Sequence, residues 1–549
     1  MTRVDAASVN IASWLPRMAD EQPDKKAIVC DRGGGAYESW TFGELEAESN
    51  RIANGLERIG IRRGTRTILM VRPSLDFFGL VFALFKIGAP PAVIDPGMGR
   101  NKMVECLAGV EAEAYIGIPL AHLLRKLHSR AFRTVRHVVT VGRRWFWGGH
   151  TLEGLRGGAS SRYAMAETKP DEIAAILFTS GSTGPAKGVV YTHAIFDAQV
   201  RMLREIYDIR PDEVDLATFP LFALFDPALG MTSVVPEMDF TRPAQADPEK
   251  LIRAIRDHDV TNMFGSPALI DRLGRFGESR GVTLPTIKRA ISAGAPIAPA
   301  VLERFHKLLT SDAQVFTPYG ATESLPVTSI GSREIVSETK DRTAAGGGVC
   351  VGRPVASMDV RIIRISDEPI DAWSDDLVAP PGEIGEIVVR GPVVTSEYWG
   401  NPAATRLAKI ASGDGRGLFH RMGDVGYFDQ GGRLWMCGRK AHRVVTPDGT
   451  LFTVPCEAVF NQHQEVRRTA LVGVGRARQK KPVLCVELDP EHARADRSRL
   501  ISELRALGKE HAHTRGIRTF LFHSGFPVDI RHNAKIFREK LAVWAAESE

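Results

Sequence analysis

The chain has 549 residues, enough for several domains with large cores, and its 44% apolar and 25% charged content is that of a folded globular protein rather than a disordered one. A net charge of +6, from 71 basic and 65 acidic residues scattered among one another, gives no case for nucleic acid. The six cysteines (Cys30, Cys106, Cys350, Cys437, Cys456 and Cys485) are far apart and form no CxxC pair. This speaks against a disulfide scaffold or a zinc ribbon and predicts reduced thiols in a cytoplasmic protein.

The first residues lack the apolar core and cleavage pattern of a secretory signal. Thr41 with Glu44 three positions on predicts a capping box, and Leu45, Ile52, Leu56 and Ile59 recur at helical spacing before Gly60. A strand over 66–71 is followed by an apolar helix around 75–87. Its centre, Phe77 to Phe85, stops at Lys86; it is too short to span a bilayer and predicts a buried helix. A strand over 91–94 ends at Asp95-Pro96-Gly97. The rhythm resumes with a helix over 192–206, a strand over 213–219, a helix over 247–257, a strand over 260–264 and a helix over 266–275. A strand over 287–292, a helix over 299–309 and a strand over 313–316 complete it. Alternation of this kind predicts βαβ units and two α/β lobes side by side. After about residue 340 short β-rich runs take over, with Gly431-Gly432 a hairpin signal between 426–429 and 433–437. Residues 438–549 alternate helix and strand again, as a compact α+β domain would.

Between the lobes' predicted elements, residues 173–191 carry a chemical signal. The run Ile173 to Phe178 leads into Thr179, Ser180, Gly181, Ser182, Thr183 and Gly184. Lys187 and Gly188 close the loop and a β-like run, Val189 to Tyr191, follows. Glycines let a backbone approach phosphate oxygens, hydroxyls and N–H groups donate, and the lysine supplies charge. GK[ST] is absent, so this is not the Walker pattern; a flexible Ser/Gly linker is the plain alternative. His258, His511 and His513 lack partners at metal-ligand spacing and read as surface histidines.

Further segments follow in order: Ser292-Ala293-Gly294-Ala295-Pro296, Tyr319-Gly320-Ala321-Thr322-Glu323, Gly385 to Pro402, Arg421 to Lys440, and Lys535 in PVDIRHNAKIFREKL. Together with the loop, this set resembles the adenylate-forming superfamily of acyl-CoA synthetases, luciferase-like enzymes and peptide-synthetase adenylation domains, over nearly the whole chain. The resemblance implies a large N-terminal domain (1–437) of two α/β lobes plus a β-rich subdomain, a hinge at 438–442, and a small mobile α+β lid domain (443–549). It implies ATP and Mg²⁺, with Thr179 to Gly184 and Lys187 on the β- and γ-phosphates, and Glu323 on the metal. Tyr319, with Gly320 and Ala321 in its motif, would pack on adenine opposite Gly294, Ala295 and Pro296. Thr322 would reach the α-phosphate, and Asp424 and Arg439 the ribose. Lys535 would swing in to bridge carboxylate and α-phosphate during adenylation.

Within that superfamily, FPLFALFDPALG, the C-terminal segment and the length are most similar to the β-lactone synthetases of bacterial long-chain olefin biosynthesis. Ala223, Ala441, the loop from Val445 to Pro455 and Asn533-Ala534 depart from the acyl-CoA synthetase pattern. The resemblance implies a long-chain 2-alkyl-3-hydroxyalkanoic acid whose own hydroxyl closes a lactone. Phe222, Leu224, Phe225, Met231 and Phe264 are candidates for an apolar acyl channel, or for ordinary core. Partners implied are a thiolase-like condensing enzyme, a reductase and an α/β-hydrolase-like decarboxylase, with no nucleic acid and no transmembrane segment. A fatty acyl-CoA or acyl-carrier ligase stays open as an alternative, and behind it a non-catalytic nucleotide-binding scaffold.

Overall fold

The structure, a computed structural model, describes residues 8–178, 186–219, 221–415, 417–477, 479–528 and 536–548. The capping box forms as read. Thr41 Oγ1 accepts from the Glu44 N–H at 3.1 Å, Glu44 Oε2 accepts from the Thr41 N–H at 2.8 Å, and the helix runs Phe42–Arg58. It packs on the apolar helix Leu75–Ile87, which starts at the N-cap Ser74 and ends at Gly88 in the left-handed conformation. Every residue of that second helix from Phe77 to Ile87 is buried. Each large side chain there contributes about 1.5–3 kcal/mol by leaving water.

Two sheets organise the large part of the chain. The first lobe holds seven strands, with Thr67–Met70 central between Pro91–Val93 and Ala114–Gly117; Ile173–Phe178 and the antiparallel Gly188–Thr192 close one edge. The second holds fourteen. Val214–Ala217, Asn262–Phe264, Arg289–Ile291 and Gln314–Ala321 run parallel in that order, in register Ala217–Phe264–Ile291–Phe316. Their loops therefore leave one common edge, the carboxyl end of the strands, where open α/β sheets carry their ligands.

The β-rich run is continuous with this second sheet. Ser324–Gly331 folds back on Gln314–Ala321, and Val349–Pro354 then pairs with Ser324–Gly331 on one side and Leu434–Arg439 on the other. The expected hairpin is present, but its first strand starts earlier than read, at Leu418, and runs to Phe428. Beyond Arg439 the chain forms a short helix, Lys440–His442, then a two-stranded hairpin, Val444–Thr446 with Gly449–Leu451. The three-stranded sheet Val466–Val474, Lys481–Leu488 and Thr519–Phe522 lies beyond, flanked by helices. Among the described residues no helix is long and apolar enough to cross a membrane. All six cysteines are free.

Candidate functional site

The segment Tyr319-Gly320-Ala321-Thr322-Glu323 sits at the carboxyl end of Gln314–Ala321 and turns into Ser324–Gly331. Gly320 is required by close approach, since a Cβ there would stand 2.6 Å from the Ser324 carbonyl oxygen. Arg289–Ile291 runs alongside and leads into Gly294-Ala295-Pro296, with Gly294 at φ +93°.

Register brings the next pair together. Asp424 and Arg439 are directly opposed in the antiparallel strands Leu418–Phe428 and Leu434–Arg439, with Arg439 Nη1 3.3 Å from Asp424 Oδ1. The Tyr319 hydroxyl donates to Asp424 Oδ2 at 2.8 Å. Burial and the neighbouring Asp424 charge hold the Tyr319 hydroxyl well above its ordinary value. Burial likewise raises Asp424, against the pull of Arg439 and the Tyr319 hydrogen bond. One aromatic ring, one buried acceptor and one guanidinium thus share a corner.

A second cluster surrounds Glu323. The Tyr398 hydroxyl donates to Glu323 Oε1 at 2.7 Å, and the Glu323 carbonyl accepts from the Thr395 N–H at 3.0 Å and the Thr395 hydroxyl at 3.1 Å. Lys409 is buried and its ammonium donates to the Thr395 carbonyl. Burial lowers Lys409 to about 7, opposed by the Glu323 charge. His420, the antiparallel partner of Lys409, is held well below its ordinary value by burial and by the charges of Lys409, Lys187 and Arg439.

The first sheet enters here. Lys187 Nζ lies 4.7 Å from the centre of the Tyr398 ring, and the Tyr191 hydroxyl donates to the Thr322 carbonyl at 2.5 Å. The Trp399 N–H donates to the Gly188 carbonyl at 2.7 Å. The loop's closing lysine and the Glu323 turn are therefore neighbours. Thr179, Ser180, Gly181, Ser182, Thr183, Gly184 and Lys535 lie outside the described residues.

Of the apolar candidates, Phe222 and Phe264 are in ring contact with centres 4.6 Å apart, at the same sheet edge as Tyr319. Phe225 lies 6.0 Å from Phe196, and Met231, which leads into Thr232–Val235 of the second sheet, is buried in a core cluster built from both sheets. Ala223 is buried in the turn between them, and Ala441 is exposed in the short helix after Arg439. The histidines read as surface residues are instead half-buried: His258 packs edge-on against Tyr37 at 4.3 Å, and His513 approaches the Pro455 carbonyl at 3.3 Å.

Tyr191, Thr395, Tyr398, Lys409 and His420 carry the site yet received no role from sequence. The segment Gly385 to Pro402 was the available signal for Thr395 and Tyr398. Nothing local marks Lys409 or His420.

Residues 15–399 match the AMP-binding enzyme family. The chain belongs to that family. Within it, the chain is 53% identical over 548 residues to an olefin beta-lactone synthetase of Xanthomonas campestris pv. campestris, with 98% of both chains covered. It is 51% identical to another of that name from Stenotrophomonas maltophilia, at the same coverage. Among solved structures, the anthranilate CoA ligase AuaEII in complex with anthranoyl-AMP superimposes with a TM-score of 0.79 at 19% identity, covering 100% of this chain and 99% of that one. That last likeness shows the adenylate-forming fold: a large N-terminal domain and a small C-terminal one.

Proposed function

We propose that this AMP-binding enzyme is an ATP-dependent β-lactone synthetase acting on long-chain 2-alkyl-3-hydroxyalkanoic acids in olefin biosynthesis. The observation that carries this reading is the identity above 50%, over almost the entire length, to two proteins named olefin beta-lactone synthetase. In the first half-reaction a carboxylate oxygen attacks the α-phosphorus of ATP, the bond to the bridging oxygen breaks, and pyrophosphate leaves. In the second, the 3-hydroxyl oxygen attacks the acyl carbon, the acyl–phosphate bond breaks with its electron pair going to AMP, and the hydroxyl proton is released. Because the nucleophile is already tethered, positioning supplies most of the acceleration.

The site geometry supports the first half-reaction. Tyr319 offers a ring face to adenine opposite Gly294, Ala295 and Pro296, and Asp424, held between Tyr319 and Arg439, is a fixed acceptor for ribose hydroxyls. Lys187 and the 179–184 loop take the β- and γ-phosphates, Thr322 the α-phosphate. Lys535 bridges carboxylate and phosphate as charge develops, a contact whose loss typically costs on the order of a hundredfold. Phe222 and Phe264, and with them Phe225 and Met231, are assigned to the acyl side.

Mg²⁺ fits the Glu323 cluster. Glu323 has one oxygen fixed by Tyr398, and among the described residues no group of three or more His, Cys, Asp or Glu could enclose a metal. A lone carboxylate suits an ion that keeps most of its water and shares the remainder with phosphate oxygens. When bound, Mg²⁺ would neutralise phosphate charge. Residues 1–437, 438–442 and 443–549 serve as core, hinge and lid. The acid comes from a condensing enzyme and a reductase, the lactone passes to a decarboxylase, and the setting is the cytoplasm.

The deciding experiment incubates the protein with ATP, Mg²⁺ and a racemic 2-alkyl-3-hydroxy acid without coenzyme A. Lactone and AMP are expected in equal amounts. No lactone, with rapid thioester formation once coenzyme A is added, would overturn the assignment in favour of an acyl-CoA ligase. Lys535→Ala is expected to abolish pyrophosphate release while ATP still binds.

A further inference from the structure

Charge is unevenly placed in this chain. Between Glu113 and Glu153 there is no acidic residue, while Lys126, Arg130, Arg133, Arg136, Arg143 and Arg144 all stand exposed there. These six alone match the +6 net charge of the entire protein. Among the described residues none of them is in an ion pair.

Four large apolar side chains are exposed in the same region. Leu120 and Leu127, seven residues apart and hence on one side of the helix Pro119–Leu127, are 63% and 69% exposed. Trp145 and Phe146 are 50% and 75% exposed, in a turn bounded by Gly142 and Gly148, both at positive φ. The turn is anchored to the helix. Trp147 is buried, donates from Nε1 to Thr140 Oγ1 at 2.9 Å, and stacks on His122 of the helix at 5.3 Å. The rings of Trp145 and Phe146 lean on Trp147 at 5.2 and 5.3 Å. The stack of Trp147 on His122 therefore holds the aromatic turn fixed relative to the helix, whose exposed side carries Leu120 and Leu127.

We infer that this face docks on an anionic lipid surface. Exposed Trp, Phe and Leu gain by entering the boundary between headgroups and acyl chains, and the surrounding cations gain from anionic headgroups. A protein interface concentrates its apolar groups in a charge-depleted centre, whereas here cations stand directly beside the apolar tips, Lys126 next to Leu127 and Arg143 and Arg144 next to Trp145. Attachment is peripheral, since no described helix can cross a bilayer.

The test is flotation of the full chain with phosphatidylglycerol vesicles and with phosphatidylcholine vesicles. Binding to the first and not the second, at least tenfold weaker in 0.5 M than in about 0.05 M NaCl, is expected because salt screens the attraction. The double variant W145A/F146A and the charge variant R143E/R144E are each expected to lose at least tenfold in vesicle affinity, with ATP–pyrophosphate exchange unchanged as proof of folding. Failure of the full chain to float, or undiminished binding by both variants, would overturn the inference. So would a concentration-dependent dimer in sedimentation that W145A/F146A abolishes, which would assign the face to a second copy of the chain.

Discussion

Tyr398 and Glu323 meet across the two large sheets, the tyrosine hydroxyl donating to the glutamate carboxylate at 2.7 Å. Tyr398 is simultaneously tied to the first sheet, through its bridge to Val189 and through Trp399 to Gly188. Its ring lies beneath Lys187. Removing the hydroxyl in Tyr398→Phe keeps the ring and frees the carboxylate. A hydrogen bond to a charged group contributes about 1.5–3 kcal/mol, so pyrophosphate exchange should slow by roughly ten- to a hundredfold. The Mg²⁺ concentration needed for half-maximal rate should rise. An unchanged Mg²⁺ dependence would remove Tyr398 from the positioning of Glu323.

Glu386 is a buried carboxylate shared by two cations. Arg421 donates to it from Nε at 3.1 Å and from Nη2 at 2.7 Å, and Lys440, just past the end of the large sheet, lies 3.0 Å away. Glu386→Gln leaves both cations without their counter-charge. Breaking such a buried pair costs about 3–5 kcal/mol, which should appear as a lowered urea midpoint. Asp371, paired with Arg406 in the open, provides the control: Asp371→Asn should leave the midpoint where it was.

Asp215 and Asp226 form a buried carboxyl pair beneath the Phe222 turn. Burial raises both, Asp215 to about 7 against the opposing charge of Arg289, and the charge of Asp215 raises Asp226 further. A raised acid binds protons in the folded state that the unfolded state has already released. Between the ordinary value near 3.8 and about 7, this pair therefore makes stability fall as pH rises. Asp226→Asn preserves the shape without the charge. Its urea midpoint should exceed that of the parent at pH 8 and converge with it near pH 4. A variant less stable at pH 8 would contradict the pairing.

The parallel order of the second lobe was legible because helix and strand periods alternate over 214–316 in short, capped segments. So were the Tyr319–Glu323 turn and Asp424, each in a dense local motif. Continuity of the β-rich run with the second sheet was not legible. It depends on Val349–Pro354 pairing on both sides with strands distant in sequence, and register leaves no local trace there. Lys409 shows the same limit. In the sequence it is one more cation at the end of a helix, and only pairing with Leu418–Phe428 turns it inward toward Thr395.

The link from Gly188 and Val189 to Tyr398 and Trp399 has a consequence for recombining this enzyme with its relatives. A chimaera with a single crossover between residues 192 and 397 would take the Gly188–Tyr191 edge from one parent and the Tyr398 segment from the other. The seam between the sheets would then combine side chains never selected together, although every individual strand was inherited whole. Exchange points outside this interval, or paired exchanges that move both segments, keep the seam from a single parent.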